Sequence, residues 1–204
     1  ELKYEYSSLN GFSGKINKNA FEKLKRDKNV KGIYLNQERH IFLQDSVPLI
    51  DASVVHDKLI DNVNLTGKGQ TICILDTGIN YSHSNFGSCT KNNFLNGNCS
   101  KVIGGYDYVN NNNDPYDDHG HGTHVAGIVA ANGNLKGVAP EANIVMIKVC
   151  DSSGCWVDDI NAGIDFCLSN KEKFNVSVIS MSLGGVYLIA IAQMKQIFLK
   201  FRLL

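Results

Sequence analysis

The sequence lacks several features that would assign it to common functional classes. It carries no net charge, with 20 basic and 20 acidic residues among 204. Proteins that bind nucleic acid or an anionic membrane present a broad basic surface, and this composition offers none. The six cysteines include no CxxC pair, which argues against a zinc ribbon or a thioredoxin-type motif. Apolar residues make up 43% of the chain, so the composition favours a globular protein with a sizeable core.

No part of the chain has the length and apolar character of a membrane span. The C-terminal stretch, residues 186–204, is apolar but contains Gln193, Lys195 and Lys200. An amphipathic helix, or a segment that diverges from the rest of the chain, fits this stretch better. The chain begins with Glu1 and shows no signal peptide, so we expect an upstream segment to precede it.

The cysteine positions predict local disulfides. Cys89 and Cys99 bracket one polar loop and Cys150 and Cys155 bracket another, and both spacings allow a disulfide. Cys73 lies inside an apolar strand and is predicted to be a buried free thiol. This cysteine usage favours an oxidising compartment.

The first 45 residues form a small unit with its own pattern. Strands are predicted over Lys3–Tyr6, Val30–Leu35 and Ile41–Leu43, and a helix over Asn19–Lys28 with Asn17 or Asn19 as its cap. A strand–helix–strand unit of this size buries little apolar surface alone. We therefore expect it to need a partner surface.

From residue 46 onward, strands and helices alternate. Strands are predicted over Gln70–Leu75, Lys101–Tyr108, Ile144–Val149 and Val176–Met181, and helices over His121–Asn132 and Val157–Leu168. This order, with continuous apolar strands, indicates an α/β fold with a doubly wound parallel sheet. Ligand sites in such sheets lie beyond the carboxyl ends of the strands, and Asp76 and Ser182 occupy such ends.

Two short motifs supply an acid and a base. Asp76 ends an apolar strand in Asp-Thr-Gly, and His121 begins the predicted helix in His-Gly-Thr-His-Val-Ala-Gly. A serine hydroxyl needs a base within hydrogen-bond reach, and the base needs a group that fixes its tautomer. Asp76 and His121 suit the last two roles. A metal cluster of His119, His121 and His124 is the alternative, but no cysteine and no HExxH pattern accompanies them.

These motifs closely resemble those of the subtilisin-like serine proteases, the subtilases. Gly-Val-Ala-Pro at residues 137–140 and Ser-Leu-Gly-Gly at 182–185 match further motifs of that family in the right order. The resemblance covers about residues 47–185 and implies a secreted serine endopeptidase that acts on peptides and proteins without a cofactor in catalysis. It makes Asp76 the acid and His121 the base of an Asp-His-Ser triad.

The same resemblance implies a substrate-binding strand and a propeptide. Ser182, Leu183 and Gly184 would align an extended substrate as an added strand. Residues 1–45 resemble the later part of a subtilase propeptide, a small α+β ferredoxin-like domain that covers the cleft and assists folding. We therefore expect a partial propeptide at 1–45, with processing near residues 43–47, the N-terminal part of the catalytic domain at 46–185 and a divergent tail at 186–204.

A loop rich in Asn and Asp, from Asp107 to Asp118, suggests calcium. Calcium takes six to eight oxygen ligands, and this loop offers many. The resemblance implies a structural ion with Asp107, Asn112 and Asp114 as side-chain ligands. The alternative is that the loop is solvated and binds no ion. Asp117 and Asp118 lie next to His121, so we expect them to line the substrate cleft and not to bind the ion.

The sequence departs from the family after residue 185. The family continues with an Ala-Gly-Asn segment, whose Asn donates to the oxyanion, and later with Gly-Thr-Ser, which holds the nucleophile. Neither occurs after His121. We therefore expect an incomplete subtilisin-like sheet and an inactive chain, and interpret the chain as a truncated product, an incomplete gene or a frameshift near residue 185. Two other functions remain as alternatives to the endopeptidase. The first is a pseudoprotease or an interaction fragment, and the second is a calcium-binding module.

Overall fold

The computed structural model describes residues 1–41, 50, 52–60, 63–184 and 198–200. The strands in these ranges are β1 Leu2–Tyr6, β2 Gly11–Gly14, β3 Gly32–Tyr34, β4 Glu38–Ile41, β5 Leu59–Ile60, β6 Val63–Asn64, β7 Thr71–Asp76, β8 Val102–Asp107, β9 Asn143–Lys148, β10 Cys150–Asp151, β11 Gly154–Trp156, β12 Val176–Met181, β13 Leu183–Gly184 and β14 Phe198–Lys200. The helices are α1 Lys18–Arg26, α2 Ala52–His56, α3 Lys91–Leu95, α4 His121–Ala130, α5 Val157–Ser169 and α6 Lys171–Phe174. None of these helices has the length and apolar character needed to cross a bilayer.

A four-stranded parallel sheet forms the centre of the fold. Its strand order is β12-β7-β9-β8. Within it, Met181 of β12 lies opposite Leu75 of β7, and Asp76 lies opposite Lys148 of β9. The carboxyl ends of β12, β7 and β9 therefore lie side by side, which is where a parallel sheet of this kind places its ligand site.

The two long helices of this region cover opposite faces of the sheet. Side chains alternate between faces along a strand, so neighbours on β7 enter different cores. Ile74 packs in one core with Val125 of α4, whereas Leu75 packs in the other with Ile160 of α5. The predicted α/β doubly wound architecture is confirmed.

One disulfide corrects the sequence analysis. Cys73 is bonded to Cys167, so the prediction of a free thiol at Cys73 is wrong. The two cysteines are 94 residues apart, and only the packing of α5 over β7 brings them together. The two predicted local disulfides, Cys89–Cys99 and Cys150–Cys155, are both present.

The N-terminal unit contains a hairpin and a short helix. β1 and β2 pair antiparallel, and α1 begins after Asn17, whose side chain accepts a hydrogen bond from the Ala20 amide at 2.9 Å. The sequence analysis named Asn17 and Asn19 as candidate caps, and the structure has Asn17 in this role. β3 pairs antiparallel with β14. Residues 198–200 are therefore a strand, so a helix through 186–204 is wrong there, while residues 185–197 and 201–204 lie outside the described residues.

The sequence analysis expected this unit to need a partner surface, and the structure places it against the first turn of α5. Tyr4 donates a hydrogen bond to the carboxylate of Asp159 at 2.6 Å, and Lys3 lies 2.9 Å from the carboxylates of both Asp158 and Asp159. The Tyr6 hydroxyl donates to the Asp158 carbonyl at 3.0 Å. Burial raises the pKa of Asp159, although the hydrogen bonds from Tyr4 and Lys3 oppose that shift. These contacts join the N-terminal unit to the α/β core.

Removing the long-range disulfide should cost more stability than removing a short-range one. A crosslink restricts the unfolded chain more when the loop it closes is longer. For Cys73→Ala/Cys167→Ala, with a separation of 94 residues, we expect the free energy of unfolding to fall by about 4–5 kcal/mol. For Cys89→Ala/Cys99→Ala, with a separation of 10, we expect about 3 kcal/mol. Urea unfolding without reductant measures both losses, and the opposite order would contradict the prediction.

Candidate active site

Asp76 and His121, which are 45 positions apart in sequence, meet at the carboxyl end of β7. The Asp76 Oδ1 atom lies 2.7 Å from His121 Nδ1, and the Asp76 side chain is completely buried. An ionised carboxylate only accepts hydrogen bonds, so this contact keeps the imidazole proton on Nδ1 and leaves Nε2 as an acceptor. Nε2 is buried and has no hydrogen-bond partner among the described residues. The arrangement provides a base that is already oriented.

The environment of Asp76 affects its charge in two directions. Burial raises the pKa of the carboxyl, because the charged form loses its hydration. The hydrogen bonds from His121 and from the Thr77 amide, the latter at 2.7 Å, favour the charged form and oppose that shift. The hydrogen bond from His121 therefore helps to keep the Asp76 carboxylate ionised.

Close packing between the Asp76 turn and α4 depends on glycine. A Cβ on Gly122 would lie 2.1 Å from the main-chain oxygen of Gly78, so only glycine fits at this crossing. Gly78 has a φ of 112°, a region that favours glycine. The Gly122 amide also donates to the Thr77 hydroxyl at 2.8 Å. These contacts place the first turn of α4, and hence His121, directly beside the end of β7.

Asp117 supplies the cap that the first turn of α4 lacks. The N-cap residue is Gly120, which has no side chain to accept the free amides of the turn. The Asp117 carboxylate accepts hydrogen bonds from the amides of His119, Gly120 and Thr123 at 3.0, 2.9 and 2.8 Å. It also accepts one from the Thr77 hydroxyl at 2.9 Å. Burial opposes the ionisation of Asp117, but hydrogen bonds from the Thr123 hydroxyl and from the three amides prevail and lower the pKa of Asp117.

Lys148 anchors the same turn from the neighbouring strand. Its ammonium group is buried and donates to the carbonyl of Thr77 at 2.7 Å and to the carboxylate of Asp118 at 2.5 Å. The Asp118 side chain is 61% exposed, so the ion pair reaches the surface at one end. Asp117 and Asp118, which the sequence suggested as residues of the cleft wall, thus both hold the loop that leads into α4.

The predicted substrate-binding residues lie beside β4 of the N-terminal unit. Ser182 follows β12, and Leu183 and Gly184 form β13. β13 pairs antiparallel with β4, with Leu183 opposite Ile41 and Gly184 opposite His40. An extended segment of the chain therefore occupies the position that the sequence analysis assigned to a substrate. The predicted processing region, residues 43–47, lies outside the described residues.

A second wall of this cleft was missed by the sequence analysis. β4 pairs on its other side with β11, where Cys155 lies opposite Arg39 and Trp156 opposite Glu38. The strand order is β10-β11-β4-β13. β11 has three residues, too few for a recognisable pattern. The paired cysteines around a four-residue loop, which predicted the disulfide, could also have indicated the hairpin.

The three predicted calcium ligands have other partners. Both oxygens of the Asp107 carboxylate accept from Asn110, and the Asn112 side-chain oxygen accepts from the Asp114 amide. The Asp114 carboxylate accepts from Tyr81 at 2.8 Å and lies 2.7 Å from the Lys91 ammonium. The described residues contain no group of three or more His, Cys, Asp or Glu side chains that could hold a metal ion. Hydrogen bonds and an ion pair thus occupy the oxygens of these side chains, and the calcium site stays a prediction.

Asp117→Ala should destabilise the fold in a pH-dependent way. The change leaves several amides of the α4 turn without an acceptor, so we expect the free energy of unfolding to fall by about 3 kcal/mol at pH 7. Because the folded pKa of Asp117 is lowered, its ionised form stabilises the fold above the unfolded pKa of about 3.9, and the contribution declines as pH falls through the folded pKa.

Urea unfolding between pH 3 and pH 7 measures this difference. The control is Asp27→Ala, since Asp27 is exposed and accepts one side-chain hydrogen bond, from the Asn29 amide. A loss for Asp117→Ala that matched the control, or that did not shrink at acidic pH, would contradict the prediction.

Comparisons with known proteins agree with these features. The chain matches the subtilase family model over residues 67–198 and the peptidase inhibitor I9 model over residues 1–42. It is 34% identical over 195 residues to the serine protease AprX of Bacillus subtilis, with 91% of this chain and 40% of AprX covered. It is 33% identical over 193 residues to alkaline serine exoprotease A of Vibrio alginolyticus, with 87% of this chain and 33% of that protein covered. For subtilisin E of Bacillus subtilis, identity is 32% over 193 residues, covering 91% of this chain and 45% of that protein.

The chain thus spans less than half the length of each of these three relatives. Among solved structures, the CspB protease of Clostridium perfringens superposes with a TM-score of 0.47 and 29% identity, covering 59% of this chain and 30% of that one. The family model accounts for more than half of the chain, residues 67–198. The chain belongs to the subtilase family.

Proposed function

We propose that this chain is part of a serine-type endopeptidase that cleaves peptide bonds through an acyl-enzyme. The observation that carries the proposal is the 2.7 Å contact between Asp76 Oδ1 and His121 Nδ1, with His121 Nε2 left as an acceptor. The similarity to the serine protease AprX and to subtilisin E supports it. Acyl transfer by an Asp-His-Ser triad requires no cofactor.

Each residue has a defined task in this proposal. His121 Nε2 takes the proton of a serine hydroxyl as the hydroxyl attacks the scissile carbonyl, and then gives it to the leaving amine. Asp76 fixes the imidazole tautomer and stabilises the imidazolium that forms. Leu183 and Gly184 hold the substrate backbone as an added strand. The sequence contains no Gly-Thr-Ser after His121, so the printed residues do not identify the serine.

The N-terminal unit acts in this proposal as the inhibitor of its own cleft. Two observations support this role: β4 lies between β13 and β11, and Lys3 and Tyr4 bind the first turn of α5. The match of residues 1–42 to the peptidase inhibitor I9 model supports it as well. The partners of the protease are thus peptide substrates and its own propeptide.

Secretion is part of the same proposal. All six cysteines are paired in disulfides. Such pairing is typical of proteins that fold in an oxidising compartment. An extracellular protease meets these conditions.

Covalent labelling with a fluorophosphonate probe tests the protease proposal. The complete gene product, after removal of its N-terminal unit, should react with the probe and hydrolyse casein. His121→Ala should lower kcat/KM by about 10⁴-fold or more, because the serine loses its base. The matched control is His124→Ala on the same helix, where the side chain is exposed, and the rate should stay within about twofold.

The alternative is an inactive pseudoprotease or an interaction fragment. The lack of Gly-Thr-Ser in the printed sequence favours it for the 204-residue chain alone, which should not react with the probe. If the complete gene product also fails to react and fails to cleave casein, the endopeptidase proposal is wrong and the pseudoprotease stands.

Calcium binding in the loop from Asp107 to Asp118 is a further proposal, which requires the ion to displace the present hydrogen-bond partners. It predicts heat release when Ca²⁺ is titrated into the protein and a smaller heat for Asp107→Ala. Isothermal calorimetry makes the comparison. Equal heats for the two proteins would remove this site.

A further inference from the structure

We propose that the Cys150–Cys155 disulfide determines substrate specificity, because it holds β11 ready to receive an extended peptide strand. The inference rests on the proposed function for its effect on catalysis. Both cysteines lie outside the four parallel strands, and their side chains pack in the same apolar core as Leu75 and Ile147 of the sheet. The crosslink joins the two strands of the β10–β11 hairpin, and β11 forms one wall of the cleft.

β11 is a short strand whose permanent strand pairing is limited. Its ladder with β10 contains two residue pairs, Cys150 opposite Cys155 and Asp151 opposite Gly154. Hairpins of this size are marginal in water. On its other side β11 pairs with β4, which occupies the position of a substrate strand. When no strand lies there, the only described strand paired with β11 is β10, and β11 keeps its packing against α5 and its covalent connections.

The disulfide compensates for the short ladder. Cys150 and Cys155 are both completely buried and belong to the same apolar cluster as Val149 and Ile160. The Val149 amide donates to the Asp76 carbonyl at 2.9 Å. The crosslink therefore ties β11 to the stretch of chain that adjoins the end of β7. It fixes the distance between the outer wall of the cleft and the catalytic pair.

The consequence differs between long and short substrates. A peptide that extends along the cleft pairs with β13 on one side and β11 on the other, as β4 does. A short ester that reaches only the reacting groups gains nothing from β11. Ordering β11 before the substrate arrives saves entropy on binding, so its loss weakens binding of long peptides without changing the chemical step.

The test compares two double variants of the active protein on two substrates. For Cys150→Ala/Cys155→Ala, KM for a peptide with at least five residues before the scissile bond should rise about tenfold, as expected for weakening one or two hydrogen bonds. Its kcat should stay within about twofold, and KM for a short ester should not change. Cys89→Ala/Cys99→Ala, the control, removes another short-range disulfide from the core on the opposite face of the sheet and should alter neither KM.

Hydrogen exchange provides a measure that needs no activity. In the 204-residue chain, the amides of β11 and β4 should exchange about tenfold faster in Cys150→Ala/Cys155→Ala, whereas those of β7 and β9 should keep their protection and show that the fold is intact. If exchange in β11 is unchanged, or if the extended peptide and the ester lose equally, the inference is overturned. If no form of the protein cleaves peptides but β11 alone loses protection, the protease proposal fails while the disulfide still orders the strand.

Discussion

The contact between the Asp76 carboxylate and the His121 imidazole depends on a turn that several hydrogen bonds hold in place. Thr77 is central to that turn: its hydroxyl connects Asp117 to the Gly122 amide, and its carbonyl accepts from the buried Lys148. Hydrogen bonds that involve charged groups are stronger than neutral ones, and here the turn has one negative and one positive partner. These hydrogen bonds therefore hold the end of β7 and the start of α4 in one arrangement relative to each other. The proposed role of His121 as a general base requires such preorganisation.

Hydrogen bonds also hold the cleft together, and there they join main-chain groups of neighbouring strands. β13 and β11 each present an edge, and the chain fills the gap between them with its own β4. Strand addition uses main-chain groups that every peptide has, so the cleft accepts this segment by its extended shape. The contacts of Lys3 and Tyr4 with α5 hold the N-terminal unit at a second place. Two separate attachments give this unit an effective concentration that a free peptide does not have.

Much of this arrangement could be predicted from the sequence. The Asp-Thr-Gly and His-Gly-Thr-His motifs identified Asp76 and His121 because local sequence encodes both the element ends and the chemical groups. The bounds of β12 were predicted without error, because its β-branched residues Val176, Val178 and Ile179 favour a strand. The Cys73–Cys167 bond could not be predicted because it depends on how a distant helix packs over β7. The role of β11 was also hidden, because its three residues become a strand only through partners on both sides.

The position of β4 has a further consequence for the chain around it. It is an interior strand of its sheet, with a neighbour on each side, and not an edge strand. Its departure would divide one sheet into two pieces and create two rows of unsatisfied main-chain donors and acceptors. Such rows attract any extended chain nearby, including a misfolded copy of the same protein. Occupancy by β4 thus protects the molecule from association with itself for as long as the N-terminal unit stays attached.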